Sequence, residues 1–303
     1  MNARAPFPAP PGADEAHAAP ARDADGLYAY APASAVPAAC WHDGVQDAAS
    51  ETVAEEVPVA LVYNGISHAV MLASPQDLED FALGFSLSER IVRAAGDIRG
   101  IEVEPGPHGI ALALDIAPGA MARLKEHRRA RTGKTGCGLC GMDSLAWFER
   151  ETTLLDSRDG GAHAAPQPFA PAVLHRAMRE LGARQRLHRA TGAMHAAGWA
   201  ARDGALLLVR EDVGRHNALD KLVGAMARAG IDPASGFAVV TSRASFEMVQ
   251  KAARARIPLL AAVSAPTAMA VRLAERAGVT LAGFVRGGRH VVYSHPQRLL
   301  APA

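Results

Sequence analysis

A pair of cysteines three positions apart is the part of this chain best equipped for covalent chemistry. It lies in Arg131-Thr132-Gly133-Lys134-Thr135-Gly136-Cys137-Gly138-Leu139-Cys140-Gly141, a stretch with four glycines. A cysteine acts as a nucleophile only as its thiolate, and a thiolate attacking the terminal sulfur of a donor persulfide becomes a persulfide itself. Lys134 and Arg131, with His127 further upstream, are placed to favour that thiolate. The glycines predict a mobile loop able to travel between a donor and an acceptor. Cys140 can help sulfur leave by closing a disulfide or by sharing the persulfide.

Other chemistries use the same pair. Structural zinc takes four ligands; the third cysteine, Cys40, is far away in sequence, so histidines would have to complete such a site. A zinc deaminase requires His-x-Glu with Pro-Cys-x-x-Cys, whereas His195 precedes Ala196-Ala197 and Gly136 precedes Cys137. A thioredoxin-like pair opens a helix just after a strand, whereas a basic helix and a Gly-rich loop lead into Cys137. Spacing alone leaves sulfur relay, zinc binding and redox exchange open.

A second group of residues suits an anionic ligand. Thr241-Ser242-Arg243, Ser264-Ala265-Pro266-Thr267 and Arg286-Gly287-Gly288-Arg289 each follow a strand-like run. Hydroxyls and free N–H groups at helix starts attract phosphate, and arginines beside glycines supply forked donors. The same residues also serve as N-caps and as a hairpin turn. Glu211, Asp212, His216 and Asn217 are packed just after a buried strand, where they can read a purine or pterin edge or simply bond backbone. His195, beside Thr191-Gly192, can line the same pocket or sit in the core. Cys40 reads as incidental.

These residues need a frame. Residues 1–50 are rich in Ala and Pro without periodicity and predict a disordered tail. An α+β part follows over 51–130. Its Val57–Tyr63 and Ile66–Leu72 runs flank Asn64-Gly65, a hairpin signal. Ser74-Pro75 predicts a helix start, and strands at Ile98–Val103 and Gly109–Ile116 precede a basic helix from Pro118. The cysteine loop and a linker occupy 131–168. Over 169–303, after a helix from Pro171 to Arg189, strands and helices alternate, predicting a largely parallel sheet with helices on both faces. Ligands of such sheets bind beyond the carboxyl ends of the strands.

The bulk numbers set bounds. The 303 residues are 49% hydrophobic and 21% charged, which is globular composition. A net charge of +1 predicts no general affinity for nucleic acid or an anionic membrane. Three cysteines make no disulfide scaffold. No apolar run approaches the roughly 18 residues of a membrane span, and no leader pattern opens the chain, so a cytoplasmic location is expected.

The Thr135–Gly141 stretch, the Arg210–Gly224 segment REDVGRHNALDKLVG, Thr241-Ser242-Arg243, Ser264–Thr267 and the ending Gly283–Arg289 with Tyr293-Ser294-His295-Pro296 together resemble the formate dehydrogenase accessory sulfurtransferase family, of FdhD type. The resemblance runs from about Glu56 to the C-terminus. It implies a cytidine-deaminase-like α/β fold, a homodimer and a sulfur carrier protein. In that role persulfide sulfur passes from a cysteine desulfurase to the bis-molybdopterin guanine dinucleotide molybdenum cofactor before the cofactor enters formate dehydrogenase. By resemblance the persulfide sits on Cys137 with Cys140 as second thiol, and Phe284, Val285, Arg286, Gly287, Gly288 and Arg289 bind the cofactor. Ser242, Arg243, Ser264 and Thr267 for the anion, with Asp212 and His216 for a heterocycle edge and His195 lining the pocket, complete the expected site. Ala193 stands where the family often has a second glycine before the histidine. A cofactor-binding chaperone without catalysis and a thiol–disulfide oxidoreductase are the alternative functions.

Overall fold

The computed structural model describes residues 28–129 and 168–300. The cysteine loop and linker, with Cys137 and Cys140, fall outside the described residues apart from position 168. So does the expected tail as far as residue 27.

Order begins earlier than the composition predicts. Strands β1 (Ala33–His42) and β2 (Val45–Ala54) form an antiparallel hairpin within the segment expected to be a disordered tail. Asp43-Gly44 makes its turn, with both φ values positive at 48° and 83°, the geometry an Asp-Gly hairpin favours. The strands lack an apolar face, which is why composition hides them.

A four-stranded sheet comes next, in the order β4-β3-β6-β5. Its members are β3 (Val57–Tyr63), β4 (Ile66–Ala73), β5 (Ile98–Gly106) and β6 (Gly109–Ile116). Asn64 and Gly65 turn the β3–β4 hairpin with φ of 46° and 78°. Alternation along β3 puts Val57, Val59, Leu61 and Tyr63 inside, against Phe81, Ala82 and Phe85 of helix α1 (Leu78–Ser88). Leu124 of α2 (Pro118–Arg129) closes the same core. Helix α1 does not start on Ser74-Pro75, as the sequence suggests. Asp77, in a left-handed conformation, precedes it, and Ser74 is committed elsewhere.

The larger sheet has six strands in the order β12-β11-β10-β9-β7-β8. They are β7 (His195–Ala201), β8 (Leu206–Asp212), β9 (Gly236–Val240), β10 (Leu259–Ala262), β11 (Thr280–Arg286) and β12 (Arg289–Ser294). The α/β architecture stands, but parallel pairing is confined to β9, β10 and β11. Strands β12, β7 and β8 pair antiparallel at the flanks. Helix α3 (Pro171–Arg184) covers one face through Leu174, Ala177 and Leu181. Helices α5 (Arg215–Arg228), α6 (Phe246–Arg254) and α7 (Ala268–Ala277) cover the other. The single helix expected through Arg189 breaks at Gln185 and resumes as α4 (Arg186–Thr191).

Helices α1 and α5 join the two sheets at backbone contact. A Cβ on Gly84 would overlap the Asp220 carbonyl oxygen, and one on Gly224 would overlap that of Asp80. Buried charges fasten the same seam. Asp80 takes Arg210 at 2.6 Å and Arg228 at 2.9 Å. Lys251 reaches Asp220 and Glu89, each at 2.9 Å. Paired in this way, buried charges make the seam costly to open, since removing one partner leaves the other uncompensated.

Candidate functional site

The carboxyl ends of β9, β10 and β11 open on one edge of the large sheet, and β7 begins there because it runs antiparallel to β9. That topology gathers His195, Thr241–Arg243, Ser264 and Phe284–Arg289 along a single rim. Helix α5 brings His216 to the same side through its first turn.

Each predicted residue has a definite place. Phe284 sits in a bulge of β11 with φ of 54°, its N–H donating to the Ser264 carbonyl at 3.2 Å. An aromatic residue in the left-handed region is strained, a feature that clusters at binding sites. Val285 points into the core. Gly287 and Gly288 turn the chain with positive φ, leaving Arg286 and Arg289 exposed to either side. The Arg289 guanidinium lies 5.8 Å from the Phe284 ring centre. Arg243 is exposed as well. Three guanidinium groups along one rim form a surface suited to phosphate.

Other expected residues have internal duties. Asp212 is fully buried and its carboxylate is saturated. Oδ1 accepts from the Gly214 N–H at 2.7 Å and Asn217 Nδ2 at 3.0 Å, while Oδ2 accepts from the Ser74 N–H at 3.1 Å and Lys221 Nζ at 2.7 Å. It therefore holds the loop before α5 from beneath, with all four of these contacts made inside the protein. Ser242 is buried and donates to the Arg243 carbonyl. Thr267 accepts the Ala270 N–H at 3.2 Å as the N-cap of α7. Glu211 accepts the N–H groups of Leu187 and His188, anchoring the start of α4. Asn217 also donates to the Leu72 carbonyl, so both residues bond backbone.

The histidines remain available for chemistry. His216 lies 3.8 Å from Glu247, whose carboxyl is drawn down to about 2 chiefly by that ring. The separation exceeds a good hydrogen bond, so the pair is an electrostatic contact. His195 is half-buried. Burial first, then the Arg215 charge and the neighbouring His188 and His216 rings, pull its pKa below the usual histidine value.

A cleft of about 370 Å³ opens beside His195. Gln185, His188, the Gly192–Met194 turn, His195 and Thr241 line it. Thr241 is held by the Ala196 N–H at 2.8 Å. Sequence reading missed Gln185, His188, Met194 and Glu247. No local pattern marks them; the helix break at Gln185 and the antiparallel pairing of β7 with β9 place the first three, and the first turn of α6 sets Glu247 beside His216.

The chain is similar to known proteins over most of its length. The model of the FdhD/NarQ family matches residues 54–300. The sulfur carrier protein FdhD of Cupriavidus necator is 58% identical over 259 residues, covering 86% of this chain and 87% of the relative. That of Bordetella petrii is 58% identical over 250 residues, covering 82% and 87%. A solved structure of a provisionally assigned formate dehydrogenase accessory protein from Desulfotalea psychrophila superposes with a TM-score of 0.69 at 25% identity, over 89% of this chain and all of that one. The chain belongs to the FdhD/NarQ family.

Proposed function

We propose that this chain is a sulfur carrier that serves formate dehydrogenase. Cys137 takes sulfur from a cysteine desulfurase, and the sulfur passes to a bis-molybdopterin guanine dinucleotide molybdenum cofactor held at the rim of the large sheet. The reading rests on kinship with proteins named sulfur carrier protein FdhD and on the Gly-Cys-Gly-Leu-Cys-Gly stretch.

The loading step is a thiol–persulfide exchange. The Cys137 thiolate attacks the terminal sulfur of the donor persulfide, a new S–S bond forms, and the donor cysteine leaves as a thiolate. The acceptor is a substrate with phosphates and fused heterocycles. Arg243, Arg286 and Arg289 supply cations for the phosphates, and the backbone of Gly287-Gly288 allows close approach. Phe284 offers a ring beside them, and Asp212 fixes the entry to helix α5, which carries His216. A cytoplasmic homodimer is part of the same proposal, since a reducing setting keeps the Cys137 thiol free to be loaded.

What carries the reading is that one chain holds both the Gly-Cys-Gly-Leu-Cys-Gly sequence and an arginine-bearing rim. In cells lacking their own sulfur carrier, the wild-type chain restores formate dehydrogenase activity and the folded Cys137→Ala variant does not. Full activity with Cys137→Ala would overturn the proposal.

A further inference from the structure

We infer that His175 and His290 form a binding site for a divalent transition-metal ion of the zinc or nickel class. The two rings come from distant parts of the chain, His175 from α3 and His290 from the edge strand β12. His175 Nε2 stands 3.1 Å from His290 Nδ1. The ring centres lie further back, at 5.1 Å with the planes at 54°, so nitrogen edges meet rather than faces.

That spacing is the one a shared ion requires. Zinc–imidazole bonds of about 2.0–2.1 Å set two nitrogens about 3.3 Å apart on a tetrahedral ion and about 2.9 Å apart on an octahedral one. The observed gap falls between these values, so an ion can enter without moving α3 away from β12. The ring that donates across the gap moves its proton to its other nitrogen, and both facing lone pairs then point at the ion.

The surroundings select the metal class. Burial, then His290 and Arg179, hold the His175 pKa below the usual histidine value, and neutral imidazole is the form a metal takes. Zinc, nickel and copper suit imidazole, whereas magnesium and calcium want oxygen ligands, which the pair does not offer. Among the described residues no third histidine, cysteine or carboxylate joins the pair, so water completes the coordination. Arg179, exposed one turn further along α3, opposes a cation and limits the affinity. Two protein ligands in place of the four of a structural zinc site make the ion exchangeable.

The backbone of β12 explains how His290 comes to meet the helix. Arg289 pairs with Arg286 and Val291 with Gly283, leaving His290 alone opposite Phe284 and Val285 at a bulge. Bulges turn a side chain out of the regular alternation. An ion held here braces α3 against the strand that returns from the Arg286–Arg289 turn. The site uses neither the thiols nor the rim arginines, so its failure would leave the sulfur-carrier reading untouched.

Zinc chloride titrated into the full chain, followed by calorimetry and by the histidine ring resonances, tests the site. Thiolates also take zinc, and the ring resonances tell the two locations apart. Zinc should shift the rings of both His175 and His290. His175→Gln and His290→Gln should each weaken that ion by about tenfold or more, since even groups behind the ligands cost this much when lost. Glutamine still donates a hydrogen bond across the gap, so a purely structural pair would tolerate it. Unchanged affinity for this ion in either folded variant overturns the inference. Rings that zinc leaves unshifted, with the metal held by the cysteines alone, overturn it as well. The ring measurement is made on the wild type and decides the matter even where a substitution unfolds the chain.

Discussion

The carboxylate of Asp212 and the ammonium of Lys221 meet at 2.7 Å with neither side chain exposed to solvent. Lys221 also donates to the Ser74 carbonyl, and Ser74 donates its own N–H to Asp212. One buried pair thus ties the end of β4, the end of β8 and helix α5 together just beneath the rim.

Lys221→Met strands a buried carboxylate. It should lower stability by about 3–5 kcal/mol, the usual cost of breaking a buried pair from one side. Urea unfolding checks this. A loss below about 1 kcal/mol, the level of an exposed pair, would show that Asp212 is not held as described.

The α1–α5 seam predicts opposite responses from two helical glycines. Gly84→Ala forces a methyl into the Asp220 carbonyl and should cost about 3 kcal/mol or more. Gly182, in α3, has open space around its Cβ position. Gly182→Ala should stabilise by about 0.5–1 kcal/mol through helix propensity alone. Thermal melts of the two variants should move in opposite directions.

Glu247 gives a pH prediction. Its carboxyl is drawn from an ordinary 4.5 down to about 2, mainly by His216. A depressed carboxylate contributes stability that is complete above its unfolded value and fades as pH falls through the folded one. The contribution is therefore full above about pH 4.5 and disappears toward pH 2. Glu247→Gln should flatten the stability profile across that window and leave its shape at neutral pH unchanged, as read by urea midpoints.

Much of the frame is legible from residue patterns. Asn64-Gly65 between apolar runs marks a hairpin by local turn chemistry, and the alternation after residue 230 marks strands and helices by period. The failures share a cause. Strand β7, His-Ala-Ala-Gly-Trp-Ala-Ala, has little intrinsic strand preference and becomes a strand because β8 and β9 hydrogen-bond it on both sides. Ser74-Pro75 has the chemistry of a helix cap, but Asp212 and Val213, far along the chain, claim Ser74. The β1–β2 hairpin carried a visible Asp-Gly signal without the apolar strands that normally accompany it. At the rim, the arginine–glycine turn could be read from sequence. The saturation of Asp212 and the meeting of His175 with His290 depend on contacts between distant segments, and no spacing encodes those.

The arginine turn predicts salt sensitivity. Arg286→Ala and Arg289→Ala should each weaken guanosine diphosphate binding by about tenfold at low salt, as expected for a lost charge-assisted hydrogen bond. The difference from wild type should shrink as ionic strength rises. Equal losses at all salt concentrations would indicate a packing role instead.

The most direct measurement is intact-protein mass spectrometry after incubation with a cysteine desulfurase and cysteine. The wild type should gain the mass of one sulfur atom, the gain should map to Cys137, and a reductant should remove it. Cys137→Ala should show no gain. A wild-type chain that acquires no sulfur under these conditions, or a gain that persists in Cys137→Ala, would contradict a persulfide carried on Cys137.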